Sequence, residues 1–318
     1  MTVPSDTGPA AESRGRIIVI CGATASRKSE LAMALAKEVQ GELVCCDSVQ
    51  MVRGFVVGSA APSIGDYAVV PHHLFQSVEW NDPPDAGRYQ SLADAAIHQI
   101  TQRGKVPIVV GGTGLYLRAL LFGLADIPTV PANVREALRT ELEVHGANAM
   151  YKRLEQLDGI AASRISGGAR NTQRVLRALE VAVHTGRPLS SYWAEQSQTI
   201  RYNATILMPE FDTQTLAHRI SKRVESMLST GLVDEVRELL SSGVDPMCRA
   251  MRSLGYREVV HHLDTSEPLE VTQELIERGH RRYARRQRTW FRAMDDIHVL
   301  DATRTDLLQA ALGLLDTT

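Results

Sequence analysis

The chain has 318 residues, 44% of them hydrophobic and 23% charged, and a formal net charge of -2. This balance excludes a largely disordered protein and leaves one large soluble domain or two of ordinary size. The near-neutral total also excludes nucleic-acid binding through a global positive field, so any such contact must use a local basic surface.

At the N-terminus, MTVPSDTGPAAESRG reads as a disordered tail over 1–15. It lacks the apolar stretch of a signal peptide, and no later apolar run approaches the roughly 20 residues of a membrane span, which points to the cytoplasm. RIIVICG (16–22) has the continuous apolar character of a buried strand, and Leu31, Leu35 and Val39 recur at helical spacing beyond the turn GATASRKS (22–29). ELVCCD (42–47) is a second predicted strand, ending in an acid. TQRGKVPIVVGG (101–112) closes a helix and runs into a third strand, followed by the glycine-rich turn of GGTGLYLRALL. From about Ile127 the strand signal stops, and 127–198 reads as an all-helical, strongly charged insertion. ATILMPE (204–210) restores the strand signal, helices are predicted at 213–229 and 231–241, and DIHVLDA (296–302) forms a late strand after a long helix ending near Arg292. The prediction is an α/β fold: a P-loop-like parallel sheet flanked by helices, built from 16–126 and 199–318, with the insertion between. Cys21, Cys45 and Cys46 end apolar runs and show no C-x-x-C spacing, as buried thiols in a reducing compartment would.

Three turns fall at predicted strand ends, where open α/β sheets bind ligands. GATASRKS nearly spells a phosphate-binding loop, in which Gly22, Thr24, Ala25 and Ser26 would supply backbone, Lys28 charge and Ser29 a magnesium contact, against the alternative of a strand-to-helix turn with a capping Ser and a surface Lys. Arg27 stands where the second glycine belongs. Its Cβ either narrows the loop by removing freedom at positive φ, or its guanidinium donates to the anion. Asp47, in DSVQMVRG (47–54), is a candidate general base or magnesium ligand, against the alternative of an acid capping the next turn. Thr113 sits in a glycine-lined turn where its hydroxyl and backbone can meet an anion.

Together with VPHHL (70–74), RALEV (177–181), MRSLGYREV (251–259) and RRYARRQRTWFR (281–292), these stretches in this order resemble the tRNA dimethylallyltransferase family over about Arg16 to Ala302. The resemblance implies transfer of a dimethylallyl group from dimethylallyl diphosphate to the exocyclic amine of the adenosine beside the tRNA anticodon. It implies Asp47 as the catalytic base, with Lys28, Ser29, the 22–29 backbone and Thr113 meeting the diphosphate and Mg2+. Arg174, before RALEV, is placed near the diphosphate. Ser48, Gln50 and Arg53 are expected on the acceptor side, with the 127–198 insertion contacting the anticodon arm. Arg278, Arg281, Arg282, Arg285, Arg288 and Arg292 recur at three- and four-residue steps as a basic stripe, from which Arg281, Arg285 and Arg288 are expected to contact RNA backbone. Tyr283 and Trp290 are expected to pack in the core beneath that stripe. A monomer is expected.

The sequence leaves the family's pattern at Arg27, at Val52 in place of a tyrosine, at Ser59–Pro62 in place of Thr-x-Lys-Pro, and at Arg170–Asn171 in place of Asn-Asp. Two alternatives therefore stand beside tRNA prenylation: transfer to a free adenine nucleotide or another small amine, and a tRNA-binding paralogue with weak or no catalysis.

Overall fold

The computed structural model describes residues 14–196 and 199–315. The tail expected over 1–15 lies outside them except for Arg14 and Gly15, which open the first strand. Among the described residues six strands form one sheet: β1 (Arg14–Ile20), β2 (Gly41–Cys45), β3 (His72–His73), β4 (Val106–Val110), β5 (Tyr202–Glu210) and β6 (Ile297–Asp301). Their order is β3-β2-β4-β1-β5-β6, and every pairing is parallel. The helices are α1 (Lys28–Glu38), α2 (Ile64–Val69), α3 (Ala86–Gln102), α4 (Gly114–Phe122), α5 (Ala132–Leu157), α6 (Gly159–Arg164), α7 (Thr172–Thr185), α8 (Leu189–Glu195), α9 (Thr213–Ser229), α10 (Leu232–Ser241), α11 (Tyr256–Thr265), α12 (Leu269–Arg292) and α13 (Leu307–Leu315).

The chain divides into two compact units, Met1–Leu121 with Ile200–Thr318, and Phe122–Thr199. In the first, β1 sits mid-sheet between β4 and β5, and Ile17, Ile18, Val19 and Ile20 are all buried, as a strand covered on both faces requires. Burying each such side chain contributes about 1.5–3 kcal/mol. Two of the helices that flank the sheet start at aspartate caps. The Asp85 carboxylate accepts from the Arg88 N–H at 2.8 Å to start α3, and Asp212 accepts from Gln214 and Thr215 to start α9. The second unit is helical and has its own core, in which Leu138, Leu154, Ala161, Val175, Leu179 and Tyr192 are buried.

The buried stripe of α12 runs Ile276, His280, Ala284, Gln287, Phe291, in steps of four and three. Tyr283 and Trp290 each lie one residue off it, which corrects their expected core placement: Tyr283 is half-buried and Trp290 is 39% exposed. The basic stripe also divides. Arg281 pairs with Glu277, and Arg288 and Arg292 both pair with Glu210 at 2.6 and 2.7 Å, so the repulsion among these arginines is met inside the protein. Arg278, Arg282 and Arg285 are exposed with no side-chain partner among the described residues. No helix there is long and apolar enough to cross a membrane.

Candidate active site

The carboxyl ends of β1, β2 and β4 open onto a cavity of about 1010 Å³, lined in part by residues 24–29, Asp47, Ser48, Gln50 and Gly111–Gly112. These ends approach one another closely. A Cβ on Gly111 would stand 2.1 Å from the Cys46 carbonyl oxygen, so only glycine lets the end of β4 pass the end of β2. The Thr113 N–H donates to that same carbonyl at 3.1 Å, and the Thr113 hydroxyl accepts from the Ser48 N–H at 3.0 Å. Thr113 thus ties the Asp47–Ser48 turn to the glycine-rich turn and is not among the cavity-lining residues.

The turn between β1 and α1 takes positive φ at three positions. Gly22 has φ 129, and Ala25 and Arg27 occupy the left-handed region at φ 62 and 70, where side chains are strained. Thr24 to Ser29 line the cavity, and Gly22 is not among its lining residues. Gln287, buried on α12, accepts from the Thr24 N–H and donates to the Gly112 carbonyl, both at 2.9 Å, and so pins the loop to the glycine-rich turn. Arg27 lines the cavity and keeps the positive φ that a glycine would take there. The loop is not displaced from its left-handed conformation, and the Arg27 guanidinium is directed to Glu30 and to the carbonyls of Ala302 and Arg304.

The Lys28 ammonium donates back to the Ala23 carbonyl of its own loop. Burial, then the neighbouring Arg223 guanidinium, pushes its pKa down to about 8, against the opposing pull of Asp47. On Asp47, Oδ1 accepts from the N–H groups of Val49 (2.9 Å) and Gln50 (3.3 Å), so the capping role and a cavity-facing carboxylate coexist. The Ser29 hydroxyl has no partner among the described residues.

Several further residues of the site belong to none of the motifs that the sequence displays. Arg223 on α9 lines the cavity, bonds the Ser59 carbonyl at 3.2 Å and leaves its Nε unpartnered. Burial lowers its pKa, and Asp47 counters that. His280 also lines the cavity with both ring nitrogens unpartnered. Burial, then Arg223 and Arg257, pushes it down to about 4, so it stays neutral at physiological pH. The Glu235 carboxylate accepts from the N–H groups of Val56, Val57 and Gly58 and from the Tyr256 hydroxyl. It fixes the loop whose Ser59 and Ala60 carbonyls hold the Gln50 amide at 3.0 and 2.9 Å. A signal existed for Gln287 and His280, since both fall on the apolar stripe of α12. None existed for Arg223 or Glu235, which read as ordinary surface charges of amphipathic helices.

Other candidates fall outside the cavity. Arg53 is exposed, bonded to the Gln76 carbonyl and 3.4 Å from Glu79. Arg174 is exposed in the first turn of α7, within the helical unit. Arg288, expected on RNA, is half-buried and held by Glu210 and the Thr213 hydroxyl. Of the departures, Ala61 and Pro62 line the cavity wall and Val52 is buried.

The site can therefore receive an anionic leaving group at the loop, Lys28 and Arg223, with a carboxylate within electrostatic reach of both cations. Comparison with known proteins agrees with that chemistry. The family model described as IPP transferase matches residues 50–294. A tRNA dimethylallyltransferase 1 of Pelobacter propionicus is 46% identical over 292 residues, 92% of this chain and 93% of that protein. The tRNA dimethylallyltransferase of Salinibacter ruber is 38% identical over 95% of this chain and 94% of its own length. The crystal structure of a tRNA delta(2)-isopentenylpyrophosphate transferase from Staphylococcus epidermidis superposes with a TM-score of 0.70 at 32% identity, covering 96% of this chain and 99% of that one. A eukaryotic dimethylallyltransferase acting on tRNA superposes with a TM-score of 0.80 at 26% identity, over 95% of this chain and 78% of that chain. With the loop, the carboxylate and the glycine-rich turn in one cavity and these likenesses spanning nearly its whole length, the chain belongs to the IPP transferase family.

Proposed function

We propose that this protein transfers a dimethylallyl group from dimethylallyl diphosphate to the exocyclic amine of the adenosine beside the anticodon of tRNA. The observation that carries the reading is the single cavity in which Asp47 lies within electrostatic reach of Lys28 and Arg223, with the phosphate loop on its wall. In the reaction the bond between the allylic carbon and the diphosphate oxygen breaks, and diphosphate leaves with the electron pair. A carbon–nitrogen bond forms to the adenine amine, whose proton passes to Asp47. The amine is a weak nucleophile, so Asp47 accepts its hydrogen bond before taking the proton. Lys28, Arg223 and the loop amides meet the charge that grows on the leaving group. Met33, Leu43, Val49 and Phe75 line the same cavity and suit the apolar dimethylallyl chain.

The donor set here fits magnesium brought in on the diphosphate. Ser29 offers a free hard-oxygen ligand at the loop, whereas no cluster of three His, Cys, Asp or Glu side chains among the described residues forms a cage. When bound, magnesium would neutralise charge on the diphosphate oxygens.

For the acceptor, the unpaired Arg278, Arg282 and Arg285 on the exposed side of α12 favour a polyanion over a free nucleotide. A base stacked in an anticodon loop must be extruded to reach Asp47. Ser48 and Gln50, on the same cavity wall, are the acceptor-side residues of this reading. Arg174 and the helical unit are assigned to substrate contact through the family pattern. A cytoplasmic monomer suits a tRNA substrate and four free cysteines. The test is transfer of labelled dimethylallyl, with magnesium, offered in parallel to unmodified tRNA and to adenosine mono-, di- and triphosphate. Label on tRNA supports the reading, and label on nucleotides alone or on neither overturns it.

A further inference from the structure

We propose that Arg27 is a positioning residue, a guanidinium strap that holds the phosphate loop in its anion-binding shape by tying it to Glu30 and to the segment leaving β6. The proposal rests on the reading that this loop holds the diphosphate.

A side chain at φ 70, ψ 17 is disfavoured, and Arg27 holds that conformation at the N-cap of α1 without a side-chain cap. Its backbone carbonyl still accepts the first helical bond, from the Leu31 N–H at 3.0 Å. What offsets the strain is the far end of the side chain. Nε donates to the Glu30 carboxylate at 2.9 Å, and Nη1 donates to the carbonyls of Ala302 at 2.9 Å and Arg304 at 3.3 Å. The Ala302 carbonyl is the firmer anchor of the two. Ala302 is fully buried, and its N–H donates to the Glu210 carbonyl at the end of β5, so the strap reaches from the loop after β1 to the segment leaving β6.

The loop's other strained residue is gripped by the same network. Ala25, at φ 62, has its carbonyl bonded by Arg219 Nε at 3.0 Å, and Arg219 Nη2 lies 3.3 Å from the second oxygen of Glu30. Glu30 therefore joins two guanidiniums, each of which fixes one left-handed residue. A lysine could not reproduce this, because it lacks the planar fork that addresses a carboxylate and a carbonyl together.

The test compares the intact protein with Arg27→Ala, Arg27→Gly and Arg27→Lys. The readouts are pyrophosphate affinity by calorimetry with magnesium, KM for the allylic donor and for tRNA, and amide exchange over 23–30 without ligand. Arg27→Ala keeps the strained Cβ and loses the strap. It should weaken pyrophosphate and raise donor KM by roughly tenfold, because only the fraction of loops in the competent shape can bind. Exchange over 23–30 should quicken, while KM for tRNA stays within about twofold. Arg27→Gly, whose backbone tolerates the conformation unaided, should fall between Ala and the parent, and Arg27→Lys should resemble Ala. Parental affinity and exchange in Arg27→Ala would overturn the strap, as would tighter pyrophosphate binding by Arg27→Gly than by the parent. Equal losses in Ala and Gly with unchanged exchange would also overturn it, making Arg27 a direct anion ligand. If the parent itself does not bind pyrophosphate, the diphosphate reading fails, while the exchange comparison still decides whether Arg27 orders the loop.

Discussion

Replacing Gln287 with leucine removes one side chain that serves two turns at once. Leucine keeps much of the volume on the buried stripe of α12 but can neither accept from the Thr24 N–H nor donate to the Gly112 carbonyl, each now bonded at 2.9 Å. The Gly112 carbonyl would keep only the long 3.5 Å approach of the Tyr283 hydroxyl, and an unsatisfied buried carbonyl costs about 1–3 kcal/mol. The Thr24 N–H is part-buried and reachable by water, so its loss is nearer the net worth of one bond, about 0.5–1.5 kcal/mol. Together the loss is about 1.5–4.5 kcal/mol, or about 3–18 °C in Tm at roughly 2–4 °C per kcal/mol for a unit of this size. Thermal unfolding of Gln287→Leu measures it, with Gln287→Glu as a companion that keeps an acceptor for Thr24 and sets a carboxylate oxygen against Gly112. A Tm within about 2 °C of the parent, with unchanged donor KM, would refute the claim that Gln287 joins the loop to the glycine-rich turn.

Asp47→Asn retains an Oδ1 acceptor for the Val49 and Gln50 N–H groups, so it should lower kcat by about 10²–10⁴-fold while leaving pyrophosphate affinity within about threefold; equal loss of both would make Asp47 a structural or metal-holding group. The pH dependence of donor binding follows from Lys28. Its pKa is lowered to about 8, so the ammonium is present below that value and lost above it. Donor kcat/KM should therefore fall by up to tenfold per pH unit above about 8, while kcat at saturating donor changes less, because bound diphosphate favours the charged form; a flat profile to pH 10 would contradict this. Arg282→Ala with Arg285→Ala should reduce the log–log salt slope of tRNA binding by about 0.7–0.9 for each phosphate no longer neutralised, whereas Arg288→Ala should lower stability by leaving Glu210 with Arg292 alone, with little change in slope. An equal fall in slope from Arg288 and from Arg285 would restore the undivided stripe.

The strands that build the site were legible because parallel strands covered on both faces write themselves as apolar runs: RIIVI, GELVC and VPIVV are β1, β2 and β4. The two-residue β3 left no such signal, being an edge strand whose two histidines are only half-buried. At the site, Lys28, Asp47 and Gln50 could be read as cavity-facing because they fall in turns that follow predicted strands, where open α/β sheets bind ligands. The destination of Arg27 could not be read, since its partners Ala302 and Arg304 are 275 and 277 residues away and present backbone carbonyls, which carry no side-chain signature. The arginines of α12 illustrate the same limit. Their spacing shows a shared face, but only the fold brings Glu210 against Arg288 and Arg292 and leaves Arg285 bare.

If one cavity carries both the leaving-group cradle and the base for prenylation of tRNA, a single turnover should expose both at once. The decisive experiment is transfer of labelled dimethylallyl from its diphosphate to an unmodified anticodon stem-loop, with magnesium and enzyme in excess, followed by mapping of the label. Label is expected on the exocyclic amine of the adenosine beside the anticodon, and Asp47→Asn is expected to slow its appearance by about 10²–10⁴-fold. Label confined to free adenine nucleotides, or no transfer by a folded protein that binds both substrates, would contradict the shared-cavity mechanism.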